Sequence, residues 1–109
     1  MPDFLIMITT VDNEAAATAL SRSAVAGRLA ATGQVTGPVT TTYRHHGEVC
    51  EGTEWQVTFR TTEDRAAELE EHVVAQHPYD NPEMISLPIL SGPLAYLDWI
   101  TRATRPAEG

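Results

Sequence analysis

The 109-residue sequence predicts an α+β domain of the ferredoxin-like class. This is a βαββαβ sandwich, here with an extended hairpin between the second and third strands and an additional C-terminal helix. Strand-like and helix-like stretches alternate in the order strand, helix, strand, strand, helix, strand. Residues 54–61 alternate cleanly between apolar and polar side chains, as a strand with one buried face does. We expect a single domain over residues 1–109, because a chain of this length buries a core without a metal or disulfide.

The first part of the chain predicts a strand and a helix. Residues 4–8 are all apolar, which is typical of a strand covered on both faces. The segment after this strand predicts a loop in which Thr10 or Asp12 caps the next helix. The alanine-rich stretch 13–31 predicts that helix, with Gly33 as its stop. Its inner face would carry Ala16, Leu20, Ala24 and either Gly27 or Ala31.

A long hairpin occupies the middle of the chain. Its first strand is expected to begin at Gly37-Pro38 and is rich in threonine and other β-branched residues, as strands prefer. His46-Gly47 predicts the turn, and the second strand runs to Thr61. A hairpin of this length presents an edge that must be paired or covered, and it therefore favours oligomerisation.

The last part predicts a helix, a short strand and a final helix. Residues 62–64 supply cap-type and acidic side chains that open the second helix, which ends near Gln76. Residues 84–89 predict the fourth strand, whose internal proline indicates an edge position or the end of the strand. The final helix runs from residue 94 to about residue 103, and a frayed tail follows at about residues 104–109.

Charge and composition narrow the classes of function. The chain has 15 acidic against 7 basic residues, a formal net charge of −8. Such a field repels phosphate backbones, so we expect no nucleic-acid partner. No apolar stretch approaches the roughly 20 residues that a membrane helix needs, and the N-terminus lacks the basic region of a signal peptide. The single cysteine, Cys50, cannot form an intramolecular disulfide. We therefore expect a cytoplasmic protein with a free thiol and no membrane partner.

The segment from His77 to Glu83 is the strongest candidate for building a site. Two prolines stiffen it, and between them lie a phenol and a carboxylate. Two interpretations of His77 stay open: a metal ligand, or a turn residue hydrogen-bonded to the backbone. No histidine pair has a self-evident chelating geometry. His72, expected to be solvated, is about 140° from His77 on an ideal helix, and the adjacent His45 and His46 would point to opposite faces of a strand.

Glu54, Arg60, Tyr79 and Glu83 form the most informative polar set. The simplest interpretation is that Glu54 and Arg60, which share a face of the third strand, form cross-strand pairs, at a gain on the order of a few tenths of a kcal/mol. The alternative is a pocket at a subunit boundary, where a cation and carboxylates converge on a small polar ligand. We do not predict an enzyme. No serine lies in a nucleophile-elbow sequence, and the loop after the first strand lacks the glycine and arginine that would cradle phosphate.

Short motifs spaced over residues 8–100 carry a family resemblance. They are Arg28-Leu29-Ala30-Ala31, Tyr43-Arg44 with Gly47, Glu54, Arg60-Thr61-Thr62, His77-Pro78-Tyr79, Pro82-Glu83, Leu87-Pro88 and Tyr96-Leu97-Asp98-Trp99. In this the chain resembles the CutA family of divalent-cation tolerance proteins. The resemblance implies a cytoplasmic homotrimer whose hairpins pack between subunits, with no firmly attached catalytic activity.

The resemblance also implies ligand contacts at the inter-subunit clefts. The implied contacts are Tyr43, Glu54, Arg60, His77, Tyr79, Glu83 and Trp99. In members described as binding copper, the ligand positions correspond to Thr9, Gln76 and His77, so one of three ligands remains for Cu²⁺ or another divalent cation. Two hypotheses follow: a non-enzymatic trimer that responds to divalent metal ions, and a PII-like trimer that senses a small polar metabolite.

Overall fold

The computed structural model describes residues 3–107 and contains four strands and three helices. In chain order they are β1 (Phe4–Val11), α1 (Glu14–Ala26), β2 (Thr32–His45), β3 (Glu48–Thr62), α2 (Glu63–Gln76), β4 (Ile85–Pro88) and α3 (Leu94–Ala103). The strands form one antiparallel sheet in the order β2-β3-β1-β4. This arrangement confirms the predicted ferredoxin-like class, with its long hairpin and C-terminal helix. No helix among residues 3–107 is both long enough and apolar enough to cross a membrane.

The core lies between α1, α2 and one face of the sheet. Every second residue of β1 from Leu5 to Val11 is buried, and Val57 and Phe59 lie in register beside them on β3. The helix residues that complete the core are Ala17, Leu20, Ala24, Leu69 and Val73. Because the side chains on α1 are small, this helix lies close to the sheet, as its alanine-rich sequence predicts.

β1 is longer than predicted, and the residue that caps α1 lies later in the sequence than predicted. Thr9 and Thr10, expected in a loop, are paired with β3. Asn13 caps α1 instead, because its side-chain oxygen accepts a hydrogen bond from the backbone N–H of Ala16 at 2.7 Å. The predicted cap at Thr10 or Asp12 is therefore wrong. The polar residues at this point continue the strand because their backbone groups have partners on β3.

α1 ends earlier, and β2 begins earlier, than the sequence predicts. The helix ends at Ala26, and Arg28 then adopts a φ of 62°, which no α-helix accommodates. The predicted extension to Ala31 with a stop at Gly33 is wrong, since Gly33 lies in β2 opposite Phe59. Helix propensity is high over this stretch, but pairing with the sheet overrides it.

The hairpin of β2 and β3 extends beyond the rest of the sheet. The register shifts between Thr36 and Val39, so Gly37-Pro38 is a bulge inside a longer strand and not the predicted strand start. Gly37 is required there because a Cβ atom would overlap the ring of Trp55. Residues 39–54, the distal hairpin, pair only with each other. They end in a turn at His46-Gly47, as predicted.

On the sheet face opposite α1 and α2, the part formed by β1 and β4 is apolar and partly uncovered, whereas β3 presents Thr58 and Arg60 beside it. Ile6 and Ile8 of β1 alternate with the buried residues and pair with Leu87 and Ile85 of β4. We call these four residues the open sheet face; Ile85 is 47% and Leu87 46% exposed.

α3 is anchored at its C-terminal end. Ile100 and Thr104 are buried, and the Thr104 hydroxyl donates to the backbone oxygen of Ile100 at 2.8 Å. Thr104 was predicted to begin the frayed tail, and this is wrong, because Thr104 is buried and both its backbone N–H and its hydroxyl donate to the Ile100 oxygen. Residues 108 and 109 of the predicted tail lie outside the described part of the chain.

Candidate functional site

The loop between α2 and β4 is fastened to β1 at two points. The Nε2 atom of His77 lies 2.9 Å from the backbone oxygen of Thr10. The buried hydroxyl of Thr9 donates to the backbone oxygen of Glu83 at 2.6 Å. Both ends of the segment 77–83 are thus bonded to consecutive residues of one strand. Since the two prolines also fix φ within the segment, the loop is held in one shape.

His77 uses both ring nitrogens inside this loop. Nε2 donates to the Thr10 carbonyl, and Nδ1 accepts a hydrogen bond from the backbone N–H of Tyr79 at 3.1 Å. A carbonyl only accepts and an amide N–H only donates, so the neutral ring with the proton on Nε2 is the form that fits. The two open interpretations of His77 therefore compete, because a metal ligand would have to give up one of these hydrogen bonds.

Tyr79 connects the loop to β3. Its hydroxyl donates to a carboxylate oxygen of Glu54 at 2.7 Å. Burial, the hydrogen bond to Glu54 and the negative charges of Glu54 and Asp12 raise the pKa of Tyr79 well above its ordinary value of 10.0. Tyr43 makes the smallest contribution to this rise. At neutral pH the phenol of Tyr79 is therefore a protonated donor that fixes the position of the Glu54 carboxylate.

The structure does not bring all of the candidate residues together within one subunit. Arg60 lies farther along β3, about 20 Å from Glu54 by strand rise, and its Nη1 atom donates to the side-chain oxygen of Gln34 at 3.1 Å. Glu54 is bonded to Tyr79 instead. Arg60 therefore has a cross-strand partner on β2, as expected, whereas the partner of Glu54 lies in the loop and not on a neighbouring strand. Glu83 contributes its backbone oxygen to the loop, while its side chain is exposed.

Trp99 belongs to a different surface. It lies on α3 beside Tyr96, with 5.7 Å between the ring centroids, and is 39% exposed. Together with its neighbour it adds aromatic area to the exposed apolar residues of α3 and β4. Of the implied contacts, the structure groups Glu54, His77, Tyr79 and the backbone of Glu83. It places Arg60 and Trp99 elsewhere, and Tyr43 lies on β2 opposite Cys50.

His72 makes contacts that the sequence analysis missed. Its Nε2 atom lies 2.8 Å from the hydroxyl oxygen of Ser23, so it bridges α1 and α2 instead of being solvated. The same hydroxyl lies 3.2 Å from the backbone oxygen of Leu20, and the Gln76 amide nitrogen lies 3.3 Å from the imidazole. Ser23 and His72 stand in consecutive helices, but their distance depends on how the helices pack, which periodicity does not determine.

The residues at the implied copper positions have other partners. The Thr9 hydroxyl bonds to the loop, Gln76 lies beside His72, and both nitrogens of His77 are hydrogen-bonded. Within residues 3–107, no group of three or more His, Cys, Asp or Glu side chains is arranged to hold a metal ion. The geometry supports a loop of fixed shape more directly than a copper site.

Known proteins share both the sequence pattern and the fold of this chain. CutA1 divalent ion tolerance proteins match the chain over residues 5–103. A "Divalent-cation tolerance protein CutA" from Thermus thermophilus is 37% identical over 99 residues, which are 91% of this chain and 96% of the relative. "Protein CutA 1, chloroplastic" from Oryza sativa subsp. japonica is 36% identical over 101 residues, which are 93% of this chain and 57% of the relative.

Solved structures agree with this match. The crystal structure of CutA1 from Oryza sativa superposes with a TM-score of 0.92 at 34% sequence identity, and the match covers 97% of this chain and 97% of that one. The similarity therefore includes the distal hairpin and α3 as well as the central sheet. From its sequence and its backbone, the chain belongs to the family of CutA1 divalent ion tolerance proteins.

Proposed function

We propose that the protein is a non-enzymatic homotrimer that contributes to the tolerance of divalent metal ions. Relatives from Thermus thermophilus and Citrobacter koseri carry the description of divalent-cation tolerance proteins, and they match 91% and 96% of this chain. The fixed loop supports a structural role for the candidate site. Its histidine and tyrosine are both engaged in hydrogen bonds that hold shape, and the phenol is a protonated donor at neutral pH.

The open sheet face is the observation that carries the proposed assembly. Ile85 and Leu87 are nearly half exposed, and they pair with Ile8 and Ile6 to form a contiguous apolar surface. Contiguous apolar surface on a small protein marks an interaction site. The distal hairpin adds a second unpaired edge, and the molecule is accordingly elongated, with extents of 46 × 30 × 22 Å. Other copies of the chain would cover both the open sheet face and the hairpin edge, and the family resemblance implies three subunits in total.

Sedimentation velocity tests this assembly with a matched pair of variants. Leu87→Asp places a carboxylate on the open sheet face, where burial of the charge would disfavour association. Val74→Asp is the control, because Val74 is 45% exposed on α2 and Leu87 is 46% exposed on β4. We expect Val74→Asp to sediment as wild type and Leu87→Asp to sediment as a smaller species. Equal sedimentation of both variants at the trimer mass would refute the assignment of this face.

His77 remains the candidate copper ligand at the loop. Calorimetric titration of Cu²⁺ into wild type and His77→Ala tests this role directly. We expect the two titrations to agree, because the imidazole already serves Thr10 and Tyr79. A clear loss of binding in the variant would establish His77 as a ligand.

The residues of the metabolite-sensor hypothesis do not converge within one chain over residues 3–107. The hypothesis needs Arg60 to join Glu54, Tyr79 and Glu83 at a subunit boundary. Within one subunit, Arg60 is bonded to Gln34 far from the loop.

The expected cytoplasmic location stays a prediction, and the rice relative named above is described as chloroplastic.

A further inference from the structure

The end of the distal hairpin gathers four side chains that can bind a metal. His45 and Glu48 are cross-strand partners beside the turn, and Cys50 is the partner of Tyr43 on the next rung of the same face. Residues two apart on a strand share a face, so His45, Glu48 and Cys50 point to one side. His46 joins them, since its ring centroid lies 4.0 Å from that of His45. The hairpin tip thus presents two imidazoles, a thiol and a carboxylate.

The turn explains why the two histidines are together. His46 has a φ of 50° and Gly47 a φ of 80°, the positive values of a two-residue type I′ turn. In a continuous strand the adjacent rings would point to opposite faces, as the sequence predicted; this prediction is wrong because His46 has left the strand. On the other face, Arg44 donates to the backbone oxygen of Gly47 at 3.1 Å and holds the turn closed.

The cysteine is within reach of the histidine pair. Its sulfur lies 3.9 Å from the backbone oxygen of Glu48, so it is directed toward the turn. Cys50 is the diagonal neighbour of His45 in the ladder, and such neighbours are about 7–8 Å apart. That is the separation of the backbone positions, from which the side chains extend. An ion about 2.0–2.1 Å from an imidazole nitrogen and about 2.3 Å from a thiolate holds these two donor atoms no farther apart than about 4.4 Å, so the side chains must rotate toward each other to bind it.

The four side chains of the hairpin tip lie near one another but do not converge on one point in the structure. Within residues 3–107, no three metal-ligating side chains already surround one point. His45, His46 and Glu48 are exposed, however, and Cys50 is partly so. Exposed side chains change rotamer readily, so binding requires side-chain rotations and leaves the hairpin backbone as it is.

We propose that the hairpin tip binds one divalent transition-metal ion of the zinc type per subunit, through His45, His46 and Cys50, with Glu48 or water as the fourth ligand. Two nitrogens and a thiolate suit Zn²⁺ and Co²⁺, whereas Mg²⁺ and Ca²⁺ prefer oxygen ligands. On coordination the thiol releases its proton to solvent. The inference deepens the proposed role in metal tolerance and rests on it for its physiological meaning, but none of its ligands belongs to the loop 77–83.

Titration with Co²⁺ under reducing conditions tests the site, because a cobalt–thiolate bond absorbs in the near ultraviolet. We expect wild type to show this absorption saturating at one Co²⁺ per subunit, and Zn²⁺ to displace it. Cys50→Ser should abolish the band. His46→Asn should weaken Co²⁺ binding by about tenfold or more, since even the loss of a partner that orients a ligand costs this much.

The variants are chosen so that misfolding cannot explain the result. Asn-Gly is the preferred type I′ turn, so His46→Asn should keep the hairpin intact by circular dichroism. His72→Gln is the control, because it removes a histidine elsewhere and keeps a side chain that can hydrogen-bond to Ser23. A wild type without a cobalt–thiolate band, or variants Cys50→Ser and His46→Asn that titrate as wild type, would overturn the proposal. A monomeric protein with a cobalt site would refute the trimer and leave the tip site standing.

Discussion

The hydrogen bond between Tyr79 and Glu54 provides the sharpest test of the fixed loop. Tyr79→Phe removes the hydroxyl at 2.7 Å from the carboxylate but keeps the ring, whose centroid lies 4.8 Å from that of His77. A hydrogen bond to a charged group contributes about 1.5–3 kcal/mol when well buried. Both residues are only partly buried, and water can replace the lost donor at Glu54. We therefore expect the variant to lose about 1 kcal/mol of stability per subunit.

A double-mutant cycle separates this bond from other effects of the substitutions. Tyr79→Phe, Glu54→Gln and the double variant would be unfolded in denaturant at one fixed protein concentration, because the stability of the proposed trimer would depend on concentration. We expect a coupling energy of about 1 kcal/mol between the two sites. Strictly additive effects would show that the hydroxyl and the carboxylate do not interact, and would refute the account of the loop.

The raised pKa of Tyr79 adds a pH signature with a definite sign. The folded protein holds the phenol neutral, while the unfolded chain ionises it near its ordinary pKa of 10.0. The stabilisation is therefore fully present below about pH 10 and is lost as the pH rises through the folded-state pKa. Tyr79→Phe lacks this dependence. The stability difference between wild type and variant should shrink as the pH rises above about 10. A difference that grows there would contradict the upward shift of the Tyr79 pKa.

Two further substitutions test the ends of β1 and α1. Thr9→Val removes the donor to the Glu83 oxygen and should lower the free energy of unfolding in denaturant by about 1–2 kcal/mol. Thr9→Ser keeps a hydroxyl and should retain most of that stability. Equal stability of the two variants would contradict the hydrogen bond between Thr9 and the loop. Asn13→Ala removes the cap acceptor for Ala16 and should cost about 1 kcal/mol, with Asn13→Asp as the conservative control. An Asn13→Ala variant as stable as wild type would refute the cap.

The sequence predicted the elements whose signals are local. Alternation located the hairpin strands, His46-Gly47 marked the turn, and the proline after residue 77 marked the end of α2 at Gln76. The end of α1 was missed because its alanine-rich pattern continues past the last helical residue. Thr9 was assigned to a loop because the apolar run ends at Ile8, and its pairing with Val57 on β3 is a contact between distant parts of the sequence that no local pattern reveals.

The sequence predicted several residues of the candidate site but not the hydrogen bonds that join them. Glu54 and Tyr79 were both singled out, yet their hydrogen bond depends on where the loop meets β3. Arg60 was grouped with them by chemistry and by strand face, and its distance along β3 separates it. The pairing of His46 with His45 was missed for a related reason, since a positive φ in the turn reverses the direction expected from strand alternation.

The mass of the native assembly tests the central claim most directly. Native mass spectrometry of the wild-type protein at low micromolar concentration measures it without any substitution. The account predicts one dominant species with three times the 11.9 kDa mass of the chain. It predicts this because the open sheet face and the edges of the distal hairpin are covered only in an assembly. A dominant species at the mass of a single chain would contradict the account.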